Sequence, residues 1–330
     1  MALNRIVFIG AGAIGTALGN AMAKNQENDV VLISIEEDVV ESINTSHINR
    51  KYFPGVNLHS ALRATLSTQS LKTAEFIFMA IPSVETVKYL EKHYESVSED
   101  AIIVNLAKGF GEHNCTIIRC LKEFLPNTIC PMKGPAFARD IINNQPTGFT
   151  IGAEDPALFP VFSRIFRNTN IFLDFSRDIL GVEILSILKN IYAIVAGITD
   201  ASFDAPNLRS LVLTKAFREM RDILLEFGGN EQTMFTFCGF GDFTLTALND
   251  LSRNRTLGLL IGKGFFTREM SDKVVLEGKI AVNVLVDVLA RRNLNHKFPI
   301  LHELHKVFTD HYDLSQFVNK IINIQENASG

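Results

Sequence analysis

The segment Arg5-Ile6-Val7-Phe8-Ile9-Gly10-Ala11-Gly12-Ala13-Ile14-Gly15 decides the fold. An apolar strand, residues 5–9, runs straight into a Gly-x-Gly-x-x-Gly turn, and a helical stretch follows from about residue 14 to residue 24. In that context Gly10 permits the tight turn, Gly12 lets a pyrophosphate approach the backbone, and Gly15 lets the helix pack closely on the strand. The helix start at Ala13 and Ile14 offers unpaired N–H groups and a partial positive charge to phosphates. A second apolar run, residues 30–35, ends beside Glu36-Glu37-Asp38. An acid about 20 residues past the glycines binds an adenosine ribose and repels a 2′-phosphate, so Glu36, with no Arg beside it in sequence, favours NAD over NADP. A solvated acidic helix start fits Glu37 and Asp38 equally well.

Further apolar runs follow at residues 76–81, 101–106, 128–132, 149–151 and 171–175, with helical patterns between them. Such runs predict a mostly parallel, doubly wound sheet covered on both faces. Near Asp178 the character changes. Residues 181–197, 208–227, 256–263, 273–291 and 300–309 read as helices, and no strand is evident after about residue 178. The 330 residues, at roughly 150 per domain, therefore divide into a Rossmann-like α/β domain, 1–178, and an all-α domain, 179–330, that carries substrate chemistry. The polar tail, residues 325–330, is expected to fray.

An apolar fraction of 47% supports a sizeable core, and 32 Lys+Arg against 36 Asp+Glu give a net charge of −4. With no basic block, nucleic acid is excluded as a partner. Cys115, Cys120, Cys130 and Cys238 show no CxxC spacing, which argues for a reducing, cytoplasmic setting. The N-terminus lacks the pattern of a secretory signal. The most apolar stretch, residues 181–198, is interrupted by Glu183, Lys189 and Asn190, so no integral membrane segment is expected. His47, His59, His93, His113, His296, His302, His305 and His311 are scattered and complete no metal site.

Two other constellations carry chemistry. The apolar helix 181–197 carries one lysine, Lys189, in its middle. Either its ammonium is buried and paired, ready to exchange a proton with a hydroxyl or carbonyl, or it reaches solvent from the helix edge. Gly239-Phe-Gly-Asp242-Phe-Thr-Leu-Thr246 reads as a Gly-rich loop, and Ser252-Arg253-Asn254-Arg255 as a basic cluster at a helix start. The cluster suits either a phosphate or a solvated helix cap.

In this order, GAGAIG, GVEILSILKN with AGITD, and GFGDFTLT with SRNR resemble the NAD-dependent glycerol-3-phosphate dehydrogenases. Glu36-Glu-Asp38, Ile43-Asn-Thr-Ser-His47, Asn49-Arg-Lys-Tyr-Phe-Pro-Gly55, Ala80-Ile-Pro82-Ser83, Ala107-Lys-Gly109, Gly134-Pro-Ala-Phe-Ala138, Leu276-Glu-Gly278 and Phe298-Pro-Ile300 extend the resemblance over roughly residues 5 to 305. It implies interconversion of sn-glycerol 3-phosphate and dihydroxyacetone phosphate with NAD(H), NADP being possible, and supply of glycerol 3-phosphate for phospholipid synthesis. It also implies a cytoplasmic homodimer whose partner molecule is a small phosphorylated substrate.

Position by position, the resemblance makes Lys189 the proton donor and acceptor at the C2 oxygen and Lys108 a second lysine near substrate and nicotinamide. Asn190, Asp242 and Thr246 then surround substrate and amine, while Arg253 and Asn254, with Ser252 beside them, take the phosphate. Gly134 falls to the substrate; Gly10, Gly12, Ala13, Ile14, Gly15, Glu36, Lys108, Ala138, Arg253 and Glu277 fall to the cofactor. Departures stand at residues 200–207, which lack the family's glycines, at Lys133, at Thr246-Ala247 and at Ile14, where many members carry Trp. They keep two alternatives open: a related two-domain dehydrogenase acting on another hydroxy acid or phosphorylated substrate, and a non-catalytic dinucleotide-binding relative.

Overall fold

Alternation within the first strand sets the architecture. In β1 (Asn4–Ile9) the buried Ile6 and Phe8 point to one face and the buried Val7 and Ile9 to the other, so both faces need cover. In the computed structural model, which describes residues 3–265, 277–309 and 312–324, β1 lies inside an eight-stranded sheet. The other strands are β2 (Asn28–Ile33), β3 (Arg63–Thr65), β4 (Phe76–Met79), β5 (Ile102–Asn105), β6 (Ile129–Lys133), β7 (Thr147–Gly152) and β8 (Ile171–Ser176), in the order β3-β2-β1-β4-β5-β6-β7-β8. All pairs are parallel except β6 with β7.

The covering helices are α1 (Ala13–Met22), α2 (Glu37–Ser46), α3 (Ser83–His93), α4 (Ile117–Leu121), α5 (Ala138–Ile142) and α6 (Leu158–Ile165). One core joins Ile6, Phe8 and Phe78 to Leu18 and Met22 of α1, Ile43 of α2, Ile141 of α5 and Phe162 of α6. Phe8 and Phe78 stack with ring centroids 4.6 Å apart. The opposite core joins Val7, Ile77 and Ile103 to Val87 and Leu90 of α3 and Ile117 and Leu121 of α4. The doubly wound sheet expected from the sequence is the one that forms.

Details differ from the expectation. β2 ends at Ile33, two residues early: the Ser34 hydroxyl accepts from the Glu36 N–H at 3.0 Å, the chain turns, and Ile35 is 94% exposed. β3 escaped the reading because Arg63-Ala-Thr65 contains no apolar run. The antiparallel β6–β7 pair is a property of connectivity that apolar runs do not report.

By its internal contacts the chain divides into Met1–Glu183 with Thr236–Cys238, which holds the sheet, and Ile184–Phe235 with Gly239–Gly330. The second unit is helical, with no strand among its described residues. It takes in most of α7 (Ile179–Ser202), then α8 (Pro206–Glu226), α9 (Asp242–Leu248), α10 (Arg253–Gly262) and helices at Glu277–Arg291, Pro299–Thr309 and Phe317–Ile322. Residues 273–276 of the expected helix 273–291, the tail 325–330, and His311 lie outside the described residues.

By length and apolar composition α7 alone among the described helices would cross a membrane, but 89% of its most apolar stretch is buried inside the protein. It crosses α10 backbone to backbone: a Cβ on Gly197 would sit 2.2 Å from the Arg255 carbonyl oxygen, and one on Gly258 2.1 Å from that of Ile194. Glu219 of α8, buried beside α7, accepts from the Tyr192 hydroxyl at 2.8 Å and from the Ile300 and Leu301 N–H groups at 2.9 and 2.8 Å. It thereby caps the helix Pro299–Thr309. Burial pushes its carboxyl up to about 7, against the pull of those three donors.

Candidate active site

In the first unit, the glycines of the opening segment meet separate constraints. Gly10 has φ +110°, and a Cβ there would lie 2.6 Å from the Ala80 carbonyl oxygen; one on Gly15 would lie 2.0 Å from that of Gly10. Gly12 is different: a Cβ there would meet no atom within 4 Å. Gly12 is the N-cap of α1, with no side-chain cap and no acid in the first turn to answer the helix N-terminus. An uncapped helix start beside an open glycine fits the pyrophosphate of a dinucleotide.

At the end of β2, Glu36 accepts from Lys51 and from the Tyr52 hydroxyl, the latter at 3.3 Å. The sequence showed no basic neighbour for Glu36; folding supplies one from 15 residues away. The hydrogen bond to Glu36 holds the Lys51 ammonium above its ordinary range. Lys108, just past β5, donates to the Gly134 carbonyl oxygen at 2.8 Å, which joins two predicted residues. Gly134 has no room for a side chain, because a Cβ would fall 2.2 Å from the Gly148 carbonyl oxygen. Ala138 opens α5 and packs against the core. Ile14 is half-buried against the same core.

In the second unit, Lys189 lies in mid-α7 and is 6% exposed, so it does not reach solvent from a helix edge. Its Nζ donates to Asp242 Oδ1 at 2.7 Å and to Thr246 Oγ1 at 2.9 Å, and the Thr246 hydroxyl in turn donates to Asp242 at 3.4 Å. Asp242 is 1% and Thr246 5% exposed. A buried ammonium without a partner costs several kcal/mol; here a carboxylate answers the charge and a hydroxyl directs one N–H. The stretch read as a Gly-rich loop forms a π-helical turn, Phe237–Gly241, that passes directly into α9. Asp242 and Thr246, four apart in sequence, therefore share one helical face.

Ser252, Arg253 and Asn254 open α10. The Ser252 hydroxyl caps the helix by accepting from the Arg255 N–H at 3.2 Å. Asn254 Oδ1 accepts from the Gly278 N–H at 3.2 Å, and a Cβ on Gly278 would sit 3.0 Å from the Asn190 carbonyl oxygen. Asn190, Asn254 and the backbone next to Glu277 are thus gathered at one place. Arg253 is exposed, and makes no ion pair with any described residue.

Arg255 corrects the reading of a basic cluster. It is 8% exposed, pairs with Asp200 and with Asp250 at 3.0 Å, and donates to the Ala247 carbonyl oxygen at 3.1 Å. Both acids hold it above its ordinary range although burial opposes them, so it braces α10 and is not available to an anion. Residues 200–207, which fall between the expected helices 181–197 and 208–227, are mostly helical. α7 continues through Ser202, Asp200 also pairs with Arg209, and α8 begins at Pro206. No spacing rule connects Asp200 to Arg255, 55 residues away.

Comparison with known proteins gives the geometry a family. The N-terminal model of the NAD-dependent glycerol-3-phosphate dehydrogenases matches residues 5–159 and the C-terminal model residues 178–319. A glycerol-3-phosphate dehydrogenase [NAD(P)+] of Methanothermobacter thermautotrophicus is 35% identical over 323 residues, 96% of each chain. The chain belongs to the NAD-dependent glycerol-3-phosphate dehydrogenase family. Its counterpart in Neorickettsia sennetsu is 31% identical over 89% of this chain and 87% of the relative. A glycerol-3-phosphate dehydrogenase structure from Coxiella burnetii shares the fold, with a TM-score of 0.88 at 24% identity over 97% of this chain and 99% of that one. D-mandelate dehydrogenase shares it more distantly, with a TM-score of 0.57 at 13% identity.

Proposed function

We propose that this chain interconverts sn-glycerol 3-phosphate and dihydroxyacetone phosphate with NAD or NADP, and that Lys189 moves the proton at the C2 oxygen. The carrying observation is the buried Lys189–Asp242–Thr246 set, in a chain whose glycine turn fits a dinucleotide and whose family is named for this reaction. The dinucleotide, when bound at the glycine turn, supplies or accepts the hydride. In reduction, negative charge develops on the C2 oxygen, and the Lys189 ammonium stabilises it and then delivers a proton. Asp242 keeps that ammonium charged, and Thr246 fixes its direction.

In oxidation the neutral amine takes the hydroxyl proton, so oxidation is favoured at higher pH. Arg253, exposed at the start of α10, takes the substrate phosphate with Asn254, and Ser252 supports the turn that presents them. A site built to hold a phosphate uses that binding energy to orient a small reacting centre. Lys108 contributes a second positive charge near substrate and nicotinamide. Within this reading the protein is a cytoplasmic homodimer that provides glycerol 3-phosphate for phospholipid synthesis.

Purified protein mixed with NADH and dihydroxyacetone phosphate is the test. Consumption of both in equal amounts supports the reading. No NADH loss, with turnover of a different keto substrate, overturns it.

A further inference from the structure

Lys133, the last residue of β6, is fully buried, and the proposed chemistry makes no use of it. Its Nζ donates to the Asn105 carbonyl oxygen at 2.8 Å and to the Ala107 carbonyl oxygen. Those carbonyls flank Leu106 at the end of β5, and the next residue is Lys108. Lys108 reaches back across the same gap to the carbonyl oxygen of Gly134, the residue after Lys133. Two lysines at the ends of neighbouring parallel strands thus each hold the other strand's outgoing backbone. On the far side of Lys108, a Cβ on Gly109 would fall 2.5 Å from the Ser83 hydroxyl, so the loop is closely packed there too.

The field of Lys133 reaches one buried carboxyl, that of Glu183. Glu183 is 3% exposed and accepts from the Ile118 N–H at 3.1 Å. Burial raises its carboxyl, while the Lys133 charge, Thr116 and the Ile118 N–H pull it down. An ammonium in such a place costs far more than an apolar side chain of the same length unless its partners are used.

We propose that Lys133 is a positioning residue for Lys108. Its ammonium fixes the Asn105 and Ala107 carbonyls, and so the backbone that leads into Lys108. A shift of about 1 Å in a reacting group costs up to about 100-fold in rate, so a loosened loop shows in kcat. The inference rests on the role given to Lys108 above, and its test separates the two.

The experiment is a double-mutant cycle of Lys108→Ala and Lys133→Met, with NADH dissociation constants from fluorescence and melting temperatures alongside. Lys133→Met is expected to lower kcat for dihydroxyacetone phosphate about 10-fold or more and to leave NADH affinity within about 2-fold. The double variant should have the kcat of Lys108→Ala alone, because Lys133 acts through Lys108. Should Lys133→Met fail to fold, Lys133→Gln, which is one atom shorter and uncharged and so cannot hold both carbonyls as the ammonium does, enters the same cycle with the same expected and overturning outcomes. Multiplying effects in the double variant, or wild-type kcat in Lys133→Met, overturn the proposal while the function stands. Wild-type kcat in Lys108→Ala removes Lys108 from the site and the proposal with it.

Discussion

Asp242→Asn isolates the electrostatic part of the lysine set, since the amide keeps the shape and one acceptor but loses the charge. The side chains of Lys189 and Asp242 are 8% and 1% exposed and lie 2.7 Å apart, so solvent screening does little for the ammonium left behind. Breaking a buried pair on one side costs about 3–5 kcal/mol; Thr246 still accepts one N–H, which places the expected loss near about 3 kcal/mol. Part of the cost is avoided if Lys189 releases its proton at lower pH, as a desolvated lysine does when its counter-charge goes. Both consequences are measurable.

Denaturant unfolding should show the single variant destabilised, and Asp242→Asn combined with Lys189→Met should recover part of the loss, because no buried charge then remains. In kinetics, dihydroxyacetone phosphate reduction at neutral pH should fall about 100-fold or more for want of a proton donor, while the rise of the oxidation rate with pH moves to lower pH. Unchanged pH profiles in both directions, with a double variant less stable than the single, would refute the claim that Asp242 keeps Lys189 charged.

Other expectations follow from single residues. Gly12→Val should fold with a near-normal melting temperature, because a Cβ meets nothing there, yet weaken NADH binding at least about 10-fold; tight binding removes the glycine turn from the cofactor site. Arg253→Ala should raise KM for the phosphorylated substrate about 10- to 100-fold and change kcat less, since a charge-assisted hydrogen bond is lost; an unchanged KM excludes Arg253 from the phosphate. Glu219 holds its proton to about pH 7 when folded and loses it near 4.5 when unfolded. The folded state therefore binds more protons in that window, and stability relative to Glu219→Gln should fall as pH rises from about 4.5 to 7; a flat difference contradicts the burial argument.

The sheet was legible because a strand buried on both faces is an apolar run, and because the first glycine turn comes with its strand and helix in order. The buried Lys189 was legible as a conflict between charge and surroundings, but its partners came from a stretch whose glycines suggested a loop. A π-helical turn tolerates those glycines and hands Asp242 to a helix, which no short-range rule anticipates. Arg255 was misjudged for a related reason: in sequence it is one more cation beside Arg253, and only the fold shows that Asp200 and Asp250 already hold it. Lys51 beside Glu36, and Lys133 beneath Lys108, were missed because their partners come from other elements.

The central claim is that a buried, paired lysine moves the proton at C2. Its most direct test is kcat for dihydroxyacetone phosphate reduction by Lys189→Ala, measured beside NADH binding and melting temperature. The account predicts a loss of about 100- to 10,000-fold with NADH still bound and the protein still folded. A folded Lys189→Ala variant that binds NADH and turns over at close to the wild-type rate would contradict it.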